Sequence, residues 1–423
     1  MRHLYTVLLY LLVPYLLFRL LWRSLRLPAY IERIAERFGR YSLFQSPHKS
    51  IWVHAVSVGE VQAASALIQT LLKEYPDYSF VVTTVTPTGA RRAFDLFGKK
   101  TFHFYLPYDL PGAVNRFLRT IDPVVAIVME TELWPNLFHY CHARKIPVVI
   151  ANARMSERSC ARYMRFEKFS RELFSCISVI AAQNQEDADR FRRLAGERAD
   201  IRVTGSLKFD MKHQASLYEQ AQVLRRQFGV HRPIWIAAST HEGEEEQVLR
   251  AFKVVLRALP DSILILVPRH PERASRVVTL CKRQHLNIAL RSQVEVIDED
   301  IQVYIGDTLG EMILLYAISD VAFVGGSLVK RGGHNMLEPA ALGVPVITGP
   351  HTFNFSQIAQ MMLDANAAKL VTNFEEMAET VKEFLQDANL RHNVGENGKQ
   401  LVERNRGALD KLTAIVRETI TAV

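Results

Sequence analysis

Acidic side chains stand just past apolar runs at two places in the first half of this sequence. Glu60 follows Ser50–Val56, which alternates and then becomes apolar, and it precedes a stretch with apolar residues at Val61, Ala64, Leu67, Ile68, Leu71 and Leu72. That spacing predicts a helix from Val61 to Glu74, with Glu60 at a strand-to-helix turn. Glu130 and Glu132 bracket Thr131 directly after the apolar run Val124–Met129, and Trp134-Pro135 stiffens the loop they share. Open α/β sheets place their sites at the carboxyl ends of strands. A carboxylate at a helix start is also ordinary capping chemistry, so for Glu60 the catalytic and the capping readings both stand on residues alone. Glu130 comes directly off its strand and is the better functional candidate of its pair.

The second half is organised around Asp320–Pro350. Its order is an apolar strand to Val324, Gly325-Gly326, Gly332-Gly333, a helix from about Asn335 to Leu342, and a strand from Val344 to Thr348. In such a unit backbone amides and a helix N-terminus meet an anion. Glu338, in the first turn, can accept bonds from ribose hydroxyls while the loop amides face phosphate. Lys330, Arg331, His334 and Asn335 surround these glycines. Three further strand ends carry comparable loops: Ser239-Thr240, a hydroxyl pair before a helix; Arg269-His270; and Gly306 to Met312, which includes Gly310. Four such loops on one sheet edge argue for a single nucleotide site.

The elements that must position these residues alternate strand and helix along nearly the whole chain, which predicts an α/β protein with parallel sheets. At 423 residues with 48% hydrophobic content the chain can fill two cores. We expect a membrane anchor over 1–27, a first domain over 28–210, an interdomain passage over 211–230, and a second domain with closing helices over 231–423. The net charge of +8 suits an anionic partner. There is no basic repeat, zinc spacing or aromatic RNA-binding signature, so nucleic acid is not expected. Cys141, Cys160, Cys176 and Cys281 are scattered and propose neither disulfide nor metal. Leu4–Phe18 is almost wholly apolar and is followed, past Arg19 and Trp22, by Arg23, Arg26, Arg33, Arg37 and Arg40. With no small-residue cleavage site, this reads as an uncleaved anchor with the body on the cytoplasmic face. A helix lying in the interface and a buried soluble helix are the alternatives. The basic and aromatic helix Arg158–Phe174 offers contact with lipid phosphates or a solvated face.

Several stretches together resemble one family. They are Trp52-Val-His-Ala-Val-Ser-Val-Gly-Glu60, Glu130-Thr-Glu-Leu-Trp-Pro-Asn136, Gly205-Ser-Leu-Lys-Phe-Asp210, Ser239-Thr-His-Glu-Gly-Glu244, Pro268-Arg-His-Pro271 and Gly332-Gly-His-Asn-Met-Leu-Glu-Pro339. In order and spacing the chain is similar to the 3-deoxy-D-manno-octulosonic acid (Kdo) transferases of lipopolysaccharide synthesis. Ser206 stands where many members carry Asn. The resemblance implies a GT-B architecture of two Rossmann-like domains facing across a cleft. It implies an inverting transfer of Kdo from CMP-Kdo to a lipid A precursor, lipid IVA, at the inner leaflet of the cell inner membrane, with no cofactor and no bound metal. It gives Glu60 the role of general base and Glu130 a supporting one. It places CMP against Ser239, Thr240 and Arg269, with Gly310, Met312, Asn335 and Glu338 as further contacts, and lets Lys208 reach the donor. Another GT-B transferase, a nucleotide-sugar epimerase, or a membrane-tethered binding protein are the rival readings.

Overall fold

The computed structural model describes residues 1–25, 27–41, 48–196, 199–211, 215–293 and 297–422. Arg26 of the basic flank and residues 212–214 of the expected passage lie outside them.

Strands in the first half are apolar along both faces, as β1 (Ser50–His54) and β4 (Pro123–Met129) show, with every residue buried. Such runs suit a parallel sheet covered by helices on both sides. With β2 (Ser79–Thr84), β3 (Phe102–Tyr105), β5 (Val148–Ala153), β6 (Val179–Ala182) and β7 (Ile201–Val203) they form one sheet in the order β3-β2-β1-β4-β5-β6-β7. Every pairing is parallel. The order reverses between β1 and β4, which places Glu60 and Glu130 on either side of the switch point. The helix Val58–Glu74 buries Val61, Ala64, Leu67, Ile68 and Leu71 in the core, the face its spacing predicts. Truncating a fully buried residue such as Ile127 costs about 2–5 kcal/mol in cores of this kind.

The second sheet comprises β8 (Ile234–Thr240), β9 (Ile263–Pro268), β10 (Ile288–Leu290), β11 (Val303–Ile305), β12 (Val321–Val324), β13 (Val346–Thr348) and β14 (Ala368–Leu370). Its order is β10-β11-β9-β8-β12-β13-β14, again parallel throughout, with the switch between β8 and β12. The chain is thus α/β, with two Rossmann-like units of the GT-B class.

The units differ from the expected domains at two places. Met1–Asp210 forms one unit together with Arg406–Val423, and Met211–Asn405 forms the other. The last helix, Ala408–Thr421, therefore belongs with the first unit rather than closing the second. Leu409, Leu412, Ile415 and Val416 are buried in the core that contains Val61 and Ile68. The carboxylate of Asp210 accepts from the Gly407 and Leu409 amides, both at 2.7 Å, and so caps that helix from the far end of the unit's main segment. The expected passage is also more than a linker. The helix Ala215–Phe228 sends Ala221, Leu224 and Phe228 into the second unit's core. At the other end of the chain, Arg2–Ser24 is one helix, long and apolar enough to cross a membrane by length and composition.

Candidate active site

In the first unit Ser57 is the N-cap of Val58–Glu74, and Glu60 falls three residues on, the spacing of a capping box. Ser57 does not cap with its hydroxyl. It donates instead to Glu60 Oε1 at 3.2 Å, while the Val56 amide donates to Oε2 at 2.8 Å. These two bonds fix the carboxylate without neutralising it. Burial raises its pKa from the ordinary 4.5 to about 7, the Val56 amide pulls it down, and the charges of Glu130 and Glu132 push it up. Burial and the Glu130 charge likewise push Glu132 above the usual carboxylate range.

Glu130 sits at the end of β4 with φ 58°, a left-handed conformation that a side chain adopts only when its surroundings hold it there. Its amide donates to the Ala151 carbonyl at 2.8 Å, and the neighbouring Thr131 hydroxyl donates to the Arg154 carbonyl, so the loop is tied to the end of β5. Lys208, on the short turn Leu207–Phe209, lies within charge-interaction range of Glu130. Burial and Arg154 hold the Lys208 ammonium below its ordinary pKa, and Glu130 acts against them. The first unit thus brings Glu60, Glu130 and Lys208 together, and adds Glu132. Asn152 went unnoticed in the sequence. At φ 55° on β5, its Oδ1 accepts from the Leu207 amide at 3.1 Å and so seats Lys208. An Asn near a strand end was the available signal, since Asn tolerates this conformation. Within Trp52–Glu60, Trp52 and His54 are core: both bond the Thr83 hydroxyl at 2.9 Å, and burial lowers the His54 pKa to about 4.

In the second unit Ser239 carries φ 56° beside a register shift in β8. β12 ends against that irregularity. A Cβ on Gly325 would stand 2.7 Å from the Ser239 carbonyl oxygen and 2.9 Å from Thr240 Cα, so only glycine fits. The Arg269 amide donates to the Thr240 carbonyl at 2.9 Å, which joins the ends of β8 and β9. The Thr240 hydroxyl is buried with no hydrogen-bond partner among the described residues.

The Gly-rich loop departs from expectation. The amides of Gly326, Ser327 and Leu328 do not stand open for phosphate. They donate at 2.7, 3.0 and 2.9 Å to the carboxylate of Glu244, a fully buried residue that also accepts from the His241 amide at 3.0 Å. The anion in that cradle is the protein's own. The following helix is also shorter, Leu337–Ala341, because Asn335 turns its Oδ1 to the Leu337 amide at 3.2 Å. The Asn335 side chain donates to Glu338 Oε1 at 3.1 Å. Burial raises the Glu338 pKa, Asn335 and then Arg269 lower it, and Tyr316 lies within its field. Tyr316 belongs to the helix Met312–Ala317, whose N-cap Glu311 follows Gly310. Gly310 has φ 88°, a backbone that favours glycine. Glu311 is paired with Arg291 at 2.7 Å. Thr240, Arg269, Asn335 and Glu338 are therefore linked, and Met312 joins them through Tyr316.

Sequence reasoning also missed the stacked pair His241 and His334, whose Nε2 atoms lie 2.9 Å apart. Burial, Arg269 and His241 hold His334 down to about 4, so it is neutral at pH 7. Arg269, Lys330 and Arg331 form no ion pair among the described residues, which leaves this edge cationic.

A family model described as 3-Deoxy-D-manno-octulosonic-acid transferase (kdotransferase) matches residues 32–211, and one for glycosyl transferases group 1 matches residues 246–401. The 3-deoxy-D-manno-octulosonic acid transferase of Haemophilus influenzae is 43% identical over 98% of this chain and 98% of its own. The chain is a Kdo transferase family member. The Bordetella pertussis transferase of the same description is 38% identical over 75% of each chain. Among solved structures, the UDP-GlcNAc 2-epimerase of Neisseria meningitidis aligns over 88% of this chain and all of its own, with TM-score 0.58 and 13% identity. Acinetobacter baumannii MurG aligns over 88% and 99%, with TM-score 0.54 and 11% identity. These two likenesses speak to the fold alone. Membership makes the chain a glycosyltransferase that moves Kdo in lipopolysaccharide biosynthesis. The Kdo transferase model covers the unit that carries Glu60, Glu130, Glu132 and Lys208.

Proposed function

We propose that this Kdo transferase takes Kdo from CMP-Kdo and attaches it to lipid IVA, an inner-leaflet lipid A precursor, with the body of the enzyme on the cytoplasmic face of the inner membrane. The observation that carries the reading is the Glu60 carboxyl, pushed to about 7 beside Glu130 and Glu132 at the switch point of the first sheet. A base with that pKa exchanges protons near neutrality, where both its capture and its release are easy.

The roles divide by unit. In the first, Glu60 takes the proton of an acceptor sugar hydroxyl as its oxygen bonds to the anomeric carbon of Kdo. Glu130 orients that hydroxyl and holds Lys208. The bond from the anomeric carbon to the CMP phosphate oxygen breaks, and its electron pair leaves with CMP. Attack from the face opposite the phosphate inverts the centre. In the second unit Arg269 offsets the charge that grows on the leaving phosphate. Ser239 and Thr240 supply hydroxyls, Glu338 with Asn335 accepts from the ribose, and Gly310 and Met312 border the base. Lys208 offers a further cation to the donor. The Glu244 cradle makes the loop rigid and leaves phosphate binding to these side chains.

The test is a transfer assay with CMP-Kdo and a tetraacylated lipid A precursor in detergent, read by mass. Products heavier by whole Kdo units support donor and acceptor, and their number gives the units added. Bound CMP-Kdo with no product would overturn the acceptor. No binding of CMP-Kdo would overturn the donor.

A further inference from the structure

The helix Arg2–Ser24 rests on the first unit along its whole length. Its covered positions recur at three- and four-residue spacing, from Arg2 through Leu9, Val13, Leu16 and Leu20 to Ser24. The opposite stripe, Leu4, Leu8, Leu11, Tyr15, Phe18 and Trp22, is exposed, Leu11 at 72%. Both ends are pinned. In the first turn Arg2 donates to Asn136 Oδ1 at 3.1 Å, Asn136 Nδ2 donates to the Thr6 hydroxyl at 2.9 Å, and the Tyr5 hydroxyl bonds Asp109. Asp109 in turn accepts from the Asn136 and Leu137 amides at 2.9 and 2.7 Å, and so caps the helix Pro135–Ala143. In the last turn Arg23 lies over the Tyr30 ring, 5.4 Å from its centroid.

A helix of 23 residues is roughly 35 Å long, at ~1.5 Å per residue, against ~30 Å of hydrocarbon in a bilayer. Spanning would carry one end to the far side, away from the folded body. Here both ends rest on that body. Tyr163, which lies in the field of both Tyr5 and Glu132, joins this contact to the neighbouring helices Glu157–Met164 and Glu167–Phe174. These helices and the turn between them expose Arg162, Met164, Arg165, Phe166 and Lys168, while of the exposed acids of the same helices Glu157 is paired with Arg190 and Arg193, and Glu167 with Arg171.

We infer that Arg2–Ser24 lies in the plane of the membrane interface on the same side as the first unit. Its Leu4–Trp22 stripe enters the lipid, and Arg162, Arg165 and Lys168 meet acidic head groups. The Asp109–Asn136 clamp fixes this helix to the segment that carries Glu130 and Glu132, and so holds the catalytic carboxylates at a set height above the lipid. The inference rests on the membrane-bound reading of the enzyme. Its experiment separates the two.

Single cysteines are placed at His3, Leu25 and Lys99 in the full chain carrying Cys176→Ser, since Cys141, Cys160 and Cys281 are buried. All three positions are exposed. Right-side-out and inverted membrane vesicles from the expressing bacterium are treated with a membrane-impermeant maleimide. The expected result is that positions 3, 25 and 99 all label in inverted vesicles and none labels in right-side-out ones. Labelling of position 3 in the opposite preparation from position 99 would overturn the in-plane helix and leave the membrane reading intact. Absence of the protein from both preparations, with a stable dimer in buffer, would overturn the membrane reading itself and assign the stripe to a second copy.

Discussion

Glu60 and Glu244 stand in the first turn of a helix after a central strand, one in each unit, yet the two carboxylates are spent differently. Glu244 is fully buried and accepts from four backbone amides, three of them from the Gly-rich loop. Glu60 is half-buried, accepts from one amide and one hydroxyl, and faces two other acids. The first arrangement uses up a carboxylate's lone pairs and makes it architecture. The second leaves a lone pair and a raised proton affinity, which is what a base needs. A carboxylate's place on the sheet edge therefore does not assign its role; its donors do.

The sharpest way to break this comparison is Glu60→Gln. Loss of a general base removes about 10²–10⁴-fold of the transfer rate. The amide keeps the shape, and the like-charge repulsion disappears, so the melting temperature should hold or rise. A variant that transfers Kdo at the parent rate would return Glu60 to helix capping.

Glu244→Gln should do the reverse. The Gln amide group would point donors at donors, and leaving buried amides unsatisfied costs about 3 kcal/mol. In a unit of this size that is a fall of roughly 6–12 °C in melting temperature. Calorimetry with and without CMP would show weaker protection by the nucleotide as well, because the loop between Gly325 and Arg331 loses its anchor. An unchanged transition would sink the assignment of Glu244 to architecture.

The parallel alternation, the strand ends and the helix Val58–Glu74 were legible in the sequence because runs such as Val124–Met129 and the spacing of Val61 to Leu71 are local signals. The edge strands β10 and β14 were not seen; three residues each give no period to read. The placement of Ala408–Thr421 also escaped. An amphipathic helix shows that it has a buried face but not which core takes it, and its cap, Asp210, is remote in sequence. At the sites, side-chain types were legible and hydrogen-bond partners were not. In sequence the Gly-rich loop looks open to phosphate, because nothing near it announces that Glu244 occupies its amides. The pair His241 and His334 joins two segments in the same way.

The pH dependence offers a finer test. In the proposed role the ionised form of Glu60 is the base, so kcat/KM should fall on the acid side with a midpoint near 7. Stability moves the other way. A folded carboxyl raised from 4.5 to about 7 binds more protons than the unfolded chain between those values, so Glu60 lowers stability as pH rises through that window. Subtracting the Glu60→Gln denaturation series from the parent series isolates this slope from that of Asp109, which burial also raises to about 7. Two parallel series would mean that Glu60 titrates in its ordinary range.

Glu130→Gln carries the smallest shift and separates two functions of one residue. Removing its charge relieves Glu60, so the acid limb should move down by less than about one unit. The same change takes the anion from beside Lys208, whose ammonium then loses an influence that raises its pKa. If Glu130 acts only through charge, the limb moves and the rate at high pH, where Glu60 is ionised in both proteins, is restored. If Glu130 also orients the acceptor, the high-pH rate stays low although the base is ready. The left-handed backbone at Glu130 favours the second outcome. Holding a non-glycine residue at φ 58° costs of order 1 kcal/mol, and the fold retains it where the side chain's direction matters.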